Sequence, residues 1–463
     1  MSDSYKTTPD LTDKMPPGIP YIVGNELAER FSYYGMRTIL VVFMTKHLVD
    51  IHGDPSPMTE PVAKSIYHLF VLSTYGLGIF GALLSDAWLG KYRTIIWLSG
   101  VYCLGHVAIS ADESRIGLFL GLTLIAIGAG GIKPCVSAHV GDQFGVKNQH
   151  LLPRVFSWFY FAINTGAVAS SLLTPILLTH KWGGPWLAFG VPGALMFLAT
   201  FVFWLGRNEF IHVPAGGLGF VKESLSPAGL WILARLSIIF LFVVPFWALF
   251  DQTGSAWVLQ ADHMTREIPL WGELQIEVLP SQIQAVNPFL ILLFIPLFSY
   301  VVYPSVAKVI EPTPMRKIAT GLFLAGFAFM ISAWIETRIV AGESPHIVWQ
   351  ILAYIVLTAA EVLVSITCLE FAYTQSPPKM KSLVMSLFLA SVALGNALVF
   401  GINAGIAAFS PPADSGKPLL LEGAAYYWLF TGMMLVTAVL FLFVVWLYKP
   451  KTYIQGDKET LPT

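Results

Sequence analysis

The sequence predicts an all-α protein whose helices cross a lipid bilayer, and three observations predict it. Of its 463 residues 55% are apolar and only 12% are charged, about half the ~25% charge share of an ordinary soluble domain. The apolar residues come in long runs separated by short polar clusters, and crossing the hydrocarbon core takes ~20 mostly apolar residues. Lipid offers no water to unpaired backbone groups, so such runs must be helices.

Twelve runs qualify as spans, in order 21–45, 63–86, 93–110, 116–139, 154–178, 186–206, 232–258, 288–309, 317–338, 346–371, 382–408 and 425–448. Most connections are short. The longer ones are Arg207 to Trp231, and Gln260 to Asn287 with its Pro and several acids. No soluble domain is visible between spans. The segment Met1 to Pro20 is polar and Pro-rich without an apolar core, so no cleavable signal is expected and the first span would direct insertion.

Net charge is −1, which gives no case for a nucleic-acid partner. Cys103, Cys135 and Cys368 all lie inside apolar runs without metal-ligand or CxxC spacing. They read as small buried hydrophobes, and no metal is expected. With the amino terminus placed inside, sixteen of the 27 Lys and Arg residues fall on the inner side and seven on the outer. That asymmetry predicts cytoplasmic termini in a plasma membrane. The four left over, Arg30, Arg37, Lys133 and Arg235, lie within spans, as do Glu26, Glu29, Asp251, Glu361 and Glu370. A charge in a membrane costs several kcal/mol, roughly, unless paired or wetted. Structural ion pairs could explain single members, but the set spreads over spans one, four, seven and ten.

Span one carries Glu26, Glu29, Arg30, Tyr33 and Arg37 at i, i+3, i+4, i+7 and i+11 spacing, hence on one helical stripe. A charged stripe on a spanning helix must face a polar cavity. A carboxylate beside an arginine can exchange that partner for a proton, which is proton-relay chemistry. After span two comes Gly81-Ala-Leu-Leu-Ser-Asp86-Ala-Trp-Leu-Gly90-Lys91-Tyr-Arg93. Its glycines allow close helix approach and a tight turn, and Asp86 with Lys91 or Arg93 can bridge neighbouring helix ends. Span four places Lys133 before Pro134, too deep to snorkel.

These motifs, with Phe159-Tyr160-Phe-Ala-Ile-Asn164-Thr-Gly166, Phe246-Trp247-Ala-Leu-Phe-Asp251-Gln252 and Leu369-Glu370-Phe371, resemble the proton-coupled oligopeptide transporters of the major facilitator superfamily. The resemblance runs from about Gly18 to the last span. It implies two six-helix bundles around a central cavity, here 21–206 and 232–448, with a cytoplasmic tail 1–20, a linker 207–231 and a tail 449–463. It implies symport of di- and tripeptides with protons by alternating access. No cofactor beyond the coupling protons is expected, and the chain reads as a monomer.

The resemblance also assigns roles. Arg37 and Lys133 match basic residues near the peptide carboxylate, as a zwitterion requires. Glu361 matches the acid near the peptide amino group. Tyr33, Tyr34, Tyr75, Tyr160, Asn164, Trp247 and Asn287 match residues lining the peptide, where aromatics give adaptable apolar walls. Asp251 matches a protonatable acid that pairs with the Arg37 position in closing the outer gate. His68 matches a histidine linked to proton coupling in animal-like members, although a lone histidine is more often a packing residue. His106 and His139 read as structural. Glu370 reads as gating or structural, as do Asp86 and Lys91.

There are departures. Arg235 matches an arginine that in some members faces an aspartate on span eight, where this chain has Ser299. The large extracellular domain of animal members and the extra helix pair of many bacterial ones are absent.

Two rival readings differ in cargo or class. The same fold could carry nitrate or another small solute, but the joint presence of Lys133 and Glu361 suits a zwitterion better. A membrane-embedded enzyme would need a catalytic constellation, and neither HExxH nor GxSxG occurs.

Overall fold

A computed structural model describes residues 5–215, 217, 227–271, 274–374, 381–411 and 420–447. The expected tail 449–463 and part of the linker 207–231 lie outside the described residues. So do Lys222, Lys379, Lys417, Lys449, Lys451 and Lys458, which entered the orientation count.

Twelve long helices follow one another among the described residues, matching the twelve expected spans. They are α1 (Ile19–Val42), α2 (Glu60–Leu84), α3 (Lys91–Ala111), α4 (Arg115–Asp142), α5 (Leu152–Thr179) and α6 (Pro185–Leu205), then α7 (Pro227–Phe250), α8 (Val286–Leu297), α9 (Pro314–Val340), α10 (Val348–Glu361), α11 (Lys381–Phe409) and α12 (Ala424–Leu447). Eleven spans are long and apolar enough to cross a membrane. The other is α1, set apart by Glu26, Glu29, Arg30 and Arg37.

Contacts divide the chain into two compact units. One is Met1–Met58 with Ser73–Gly219, the other Thr59–Leu72 with Phe220–Thr463. The first turns of α2, with His68, therefore group with the second unit. In the first unit α1 packs on α5 and α6, and α3 on α4 and α6. The α3–α4 contact is close because small residues meet there: a Cβ at Gly105 would stand 2.9 Å from the Gly121 carbonyl oxygen. In the second unit α9 packs on α10 and α12, and α7 on α11.

Several spans break where function was expected. Helix α7, with Pro245 inside it, ends at Phe250. The chain passes through a tight 3₁₀ turn, Asp251–Gly254, before a short helix Ala256–Asp262. Gly254 is required here, since a Cβ would collide with the Tyr67 hydroxyl. Helix α10 ends at Glu361 and continues as a π-helical turn, Val362–Ile366, then a helix Thr367–Thr374. Such π turns widen the backbone ring by one residue and recur at functional sites.

One element was not expected. The connection Gln260 to Asn287 contains an antiparallel hairpin, β1 (Glu267–Trp271) and β2 (Leu274–Glu277), pairing Glu267 with Glu277 and Ile268 with Ile276. A four-to-five-residue strand carries too little periodicity to stand out beside the spans. The hairpin is tied to the α9–α10 connection by Thr265 N donating to Pro345 O at 3.0 Å and by His346 Nε2 donating to Glu267 O at 2.9 Å.

Candidate functional site

The charged stripe of α1 is buried in the first unit. Glu26, Glu29, Tyr33 and Arg37 are each 8% exposed or less. Arg30 Nε lies 2.6 Å from Glu26 Oε1 and 3.1 Å from Glu29 Oε2, so one guanidinium serves two carboxylates. Within this triad one cation faces two carboxylates, so its balance calls for a second positive charge or a proton. The helical spacing that put these residues on one face also set the i, i+4 pair.

Lys133 stands beside this cluster, within electrostatic reach of Glu29. Its Nζ lies 3.7 Å from the Tyr33 ring centroid and 4.5 Å from that of Tyr75, a two-sided cation–π cradle. Tyr34 meets Tyr33 edge-on at 5.4 Å. Pro134 follows within α4 and withholds the amide that Gly130 O would accept, loosening the helix where the lysine leaves it. On α5, Asn164 is buried and its Nδ2 donates to Tyr160 O at 2.9 Å, while the Tyr160 ring is exposed.

In the second unit Glu361 is held by α8. Asn287 Nδ2 donates to Glu361 Oε2 at 2.7 Å and to Thr358 Oγ1 at 3.1 Å. Asn287 was expected among the residues lining a peptide, and here its amide braces the acid. Trp247 is 8% exposed, in an aromatic group with Phe246, Phe250 and Phe388. Its buried Nε1 has no hydrogen-bond partner among the described residues.

His68 and Asp251 belong to one buried chain of side chains. His68 Nε2 lies 2.9 Å from Ser255 Oγ, and His68 Nδ1 lies 2.7 Å from Asn396 Oδ1. Asn396 Nδ2 donates to Asp251 Oδ2 at 2.6 Å and to Val392 O at 3.0 Å. All four side chains are 2% exposed or less. A backbone carbonyl only accepts, so the bond to Val392 fixes the amide with nitrogen towards Asp251 and oxygen towards His68. His68 Nδ1 must then carry hydrogen, and Nε2 is the nitrogen left to take up a further proton. Asn396 was missed in the sequence because asparagine in an apolar run has no motif of its own.

Lys91 Nζ donates to Asp142 Oδ2 at 2.7 Å, tying the start of α3 to the end of α4. Sequence reasoning expected a helix-end bridge here but did not find Asp142. Asp86 accepts from Ser85 Oγ at 3.1 Å. The Arg235 guanidinium lies 5.4 Å over the Trp231 ring, and Ser299 is exposed on the π turn Phe298–Val302. Glu370 is exposed on the helix Thr367–Thr374. His106 Nε2 bonds Ser32 Oγ at 2.8 Å, a packing role. Among the described residues no group of three or more His, Cys, Asp or Glu is placed to hold a metal ion.

The family model described as POT family matches residues 92–226 and 220–412. "Peptide transporter family 1" of Drosophila melanogaster is 39% identical over 368 residues, covering 70% of this chain and 48% of that protein. "Solute carrier family 15 member 2" of Rattus norvegicus is 38% identical over 403 residues, covering 76% and 53%. The chain thus spans about half the length of the curated relatives it matches. Among solved structures, an auto-inhibited POT family peptide transporter aligns with a TM-score of 0.81 and 35% identity, over 96% of this chain and 99% of that one. The POT family transporter PepTSo aligns with a TM-score of 0.81 and 34% identity, over 93% and 98%. The chain is a membrane protein of all-α, major facilitator architecture, and it belongs to the POT family of transporters.

Proposed function

We propose that this chain is a proton-coupled symporter that imports di- and tripeptides by alternating access. The observation that carries the reading is the opposite charge held on the spanning helices of the two units: Lys133 cradled by Tyr33 and Tyr75 in one, Glu361 held by Asn287 in the other. A peptide backbone is a zwitterion. Its carboxylate is assigned to Arg37 and Lys133, its amino group to Glu361. Tyr34, Tyr160, Asn164 and Trp247 complete the lining, and the unpartnered Trp247 Nε1 supplies a donor for a peptide carbonyl.

Protons are assigned to Glu26, Glu29 and Arg30 and to the run Ser255–His68–Asn396–Asp251. When His68 Nε2 is protonated, its charge lies one amide away from Asp251, and the carboxylate gains a cationic neighbour in exchange for other partners. Asp86, Lys91, Arg235 and Glu370 are assigned to gating or support. The chain works as a monomer in a plasma membrane with both termini cytoplasmic, and it uses no cofactor besides protons. Relatives named as peptide transporters support the cargo.

The test is uptake of labelled dialanine into proteoliposomes with and without an inward proton gradient. Gradient-driven accumulation competed by assorted di- and tripeptides is expected. Entry of nitrate or another solute in place of dialanine would retain the coupling and overturn the cargo.

A further inference from the structure

The first unit holds a cavity of about 290 Å³ outside the residues assigned to peptide and protons. Its walls include Gly90 to Arg93 at the start of α3, His139 of α4, Tyr5 and His212. Three independent features give it the character of an anion site.

Helix α3 starts bare. Gly90, at φ 76°, offers no side-chain cap, and the first turn contains no acid. The first amides of a helix have no intrahelical acceptor and carry the positive end of its dipole, which suits an anion.

His139 gives the second feature. It is 1% exposed, and its Nε2 has no hydrogen-bond partner among the described residues. A buried ring nitrogen without a partner is costly, and this one belongs to a residue of the cavity wall. Around it stand Phe203 and Phe210, with ring centroids 5.6 and 5.1 Å away, which can supply no conventional acceptor or donor.

Third, the local cations are unevenly used. Lys91 spends one of its three N–H groups on Asp142. Arg93 is exposed and makes no ion pair among the described residues. The far wall is fixed: Tyr5 stacks on His212 at 4.1 Å, Tyr92 meets His212 at 4.6 Å, and His212 N donates to Lys6 O at 2.7 Å.

We propose that this cavity binds a phosphate group, held by the first amides of α3, the Arg93 guanidinium and His139 Nε2. The volume exceeds a bare phosphate and leaves room for the molecule that bears it. Trp88 on the rim is 65% exposed, as expected of an aromatic at the membrane interface. The phosphate can therefore come from an anionic phospholipid headgroup or from free phosphate.

Native mass spectrometry of the full chain, released from micelles with dioleoyl phosphatidylglycerol or with phosphate-free dioleoylglycerol, separates these sources. Thermal midpoints with and without millimolar inorganic phosphate form the second arm. Wild type should retain phosphatidylglycerol over dioleoylglycerol. Arg93→Gln and His139→Leu should each weaken retention about tenfold, while Arg316→Gln, a basic change in the other unit, should not. A phosphate-induced midpoint rise in wild type that vanishes in both variants, without lipid retention, supports the site with free phosphate as its ligand. Equal lipid retention by wild type and both variants, or no response to either probe, overturns the proposal. Arg93 is exposed, so Arg93→Gln decides the matter if His139→Leu fails to fold.

Discussion

His68 and Asp251 are joined through one amide: Asn396 Oδ1 lies 2.7 Å from His68 Nδ1, and Asn396 Nδ2 lies 2.6 Å from Asp251 Oδ2. The amide cannot be turned round without setting its oxygen against two acceptors, Val392 O and the Asp251 carboxylate. It therefore fixes the orientation of the ring and leaves Nε2 of His68 as the nitrogen without hydrogen. Replacing Asn396 with leucine should cost about 1–3 kcal/mol of stability, because Asp251 loses a buried donor. Proton-driven accumulation of dialanine should drop at least ~10-fold, while gradient-free peptide exchange stays within about threefold. Nitrogen-15 spectra of labelled histidine should show His68 with hydrogen on Nδ1; hydrogen on Nε2 would contradict the fixed amide.

Asp251→Asn keeps the size of the side chain but cannot take up a proton. Peptide exchange should survive and accumulation against a gradient should vanish. Counterflow and gradient-driven uptake measured on the same proteoliposomes separate the two, and surviving accumulation would remove Asp251 from the coupling path.

Lys133→Ala removes the cation cradled by Tyr33 and Tyr75. The chain should fold, since a small side chain replaces a half-buried charge, and coupled uptake should be abolished. The check is monodisperse protein with an unchanged melting midpoint and no accumulation; a variant that still concentrates peptide sinks the role.

Glu361→Gln keeps the shape beside Asn287 and removes the charge that would meet a peptide amino group. Peptide affinity should fall by about 10- to 100-fold, the ~1.5–3 kcal/mol of a charge-assisted hydrogen bond. A peptide whose amino group is acetylated should bind both proteins equally. Discrimination between the two peptides that persists in Glu361→Gln would move the amino-group site elsewhere.

Burial holds the His212 imidazole below the ordinary histidine pKa, against the opposing bond to Arg207 O and helped by Arg93. Its folded pKa is depressed, so the unfolded form binds the proton more readily. The stability it lends is present above the ordinary value of about 6.5 and is lost as pH falls below it. Hydrogen exchange of the segment around Tyr5 and Lys6, corrected for intrinsic rates, should therefore be faster at pH 5 than at pH 7.5. His212→Phe should erase the difference; an unchanged difference would assign it to another group.

The sequence by itself determined the twelve spans, because a hydrocarbon core admits only helices whose lengths hydropathy reveals. It also determined the buried stripe of α1, because Glu26, Glu29, Arg30, Tyr33 and Arg37 are neighbours through helical spacing alone. The short hairpin escaped notice because its strands carry too few alternations. Only the tertiary structure decided which distant residues meet. Asp142 for Lys91, Asn287 for Glu361, and Asn396 for His68 and Asp251 lie from 51 to 328 residues away in the chain. Buried polar atoms must find partners wherever packing brings them, and no local pattern in an apolar run says which helix will supply one.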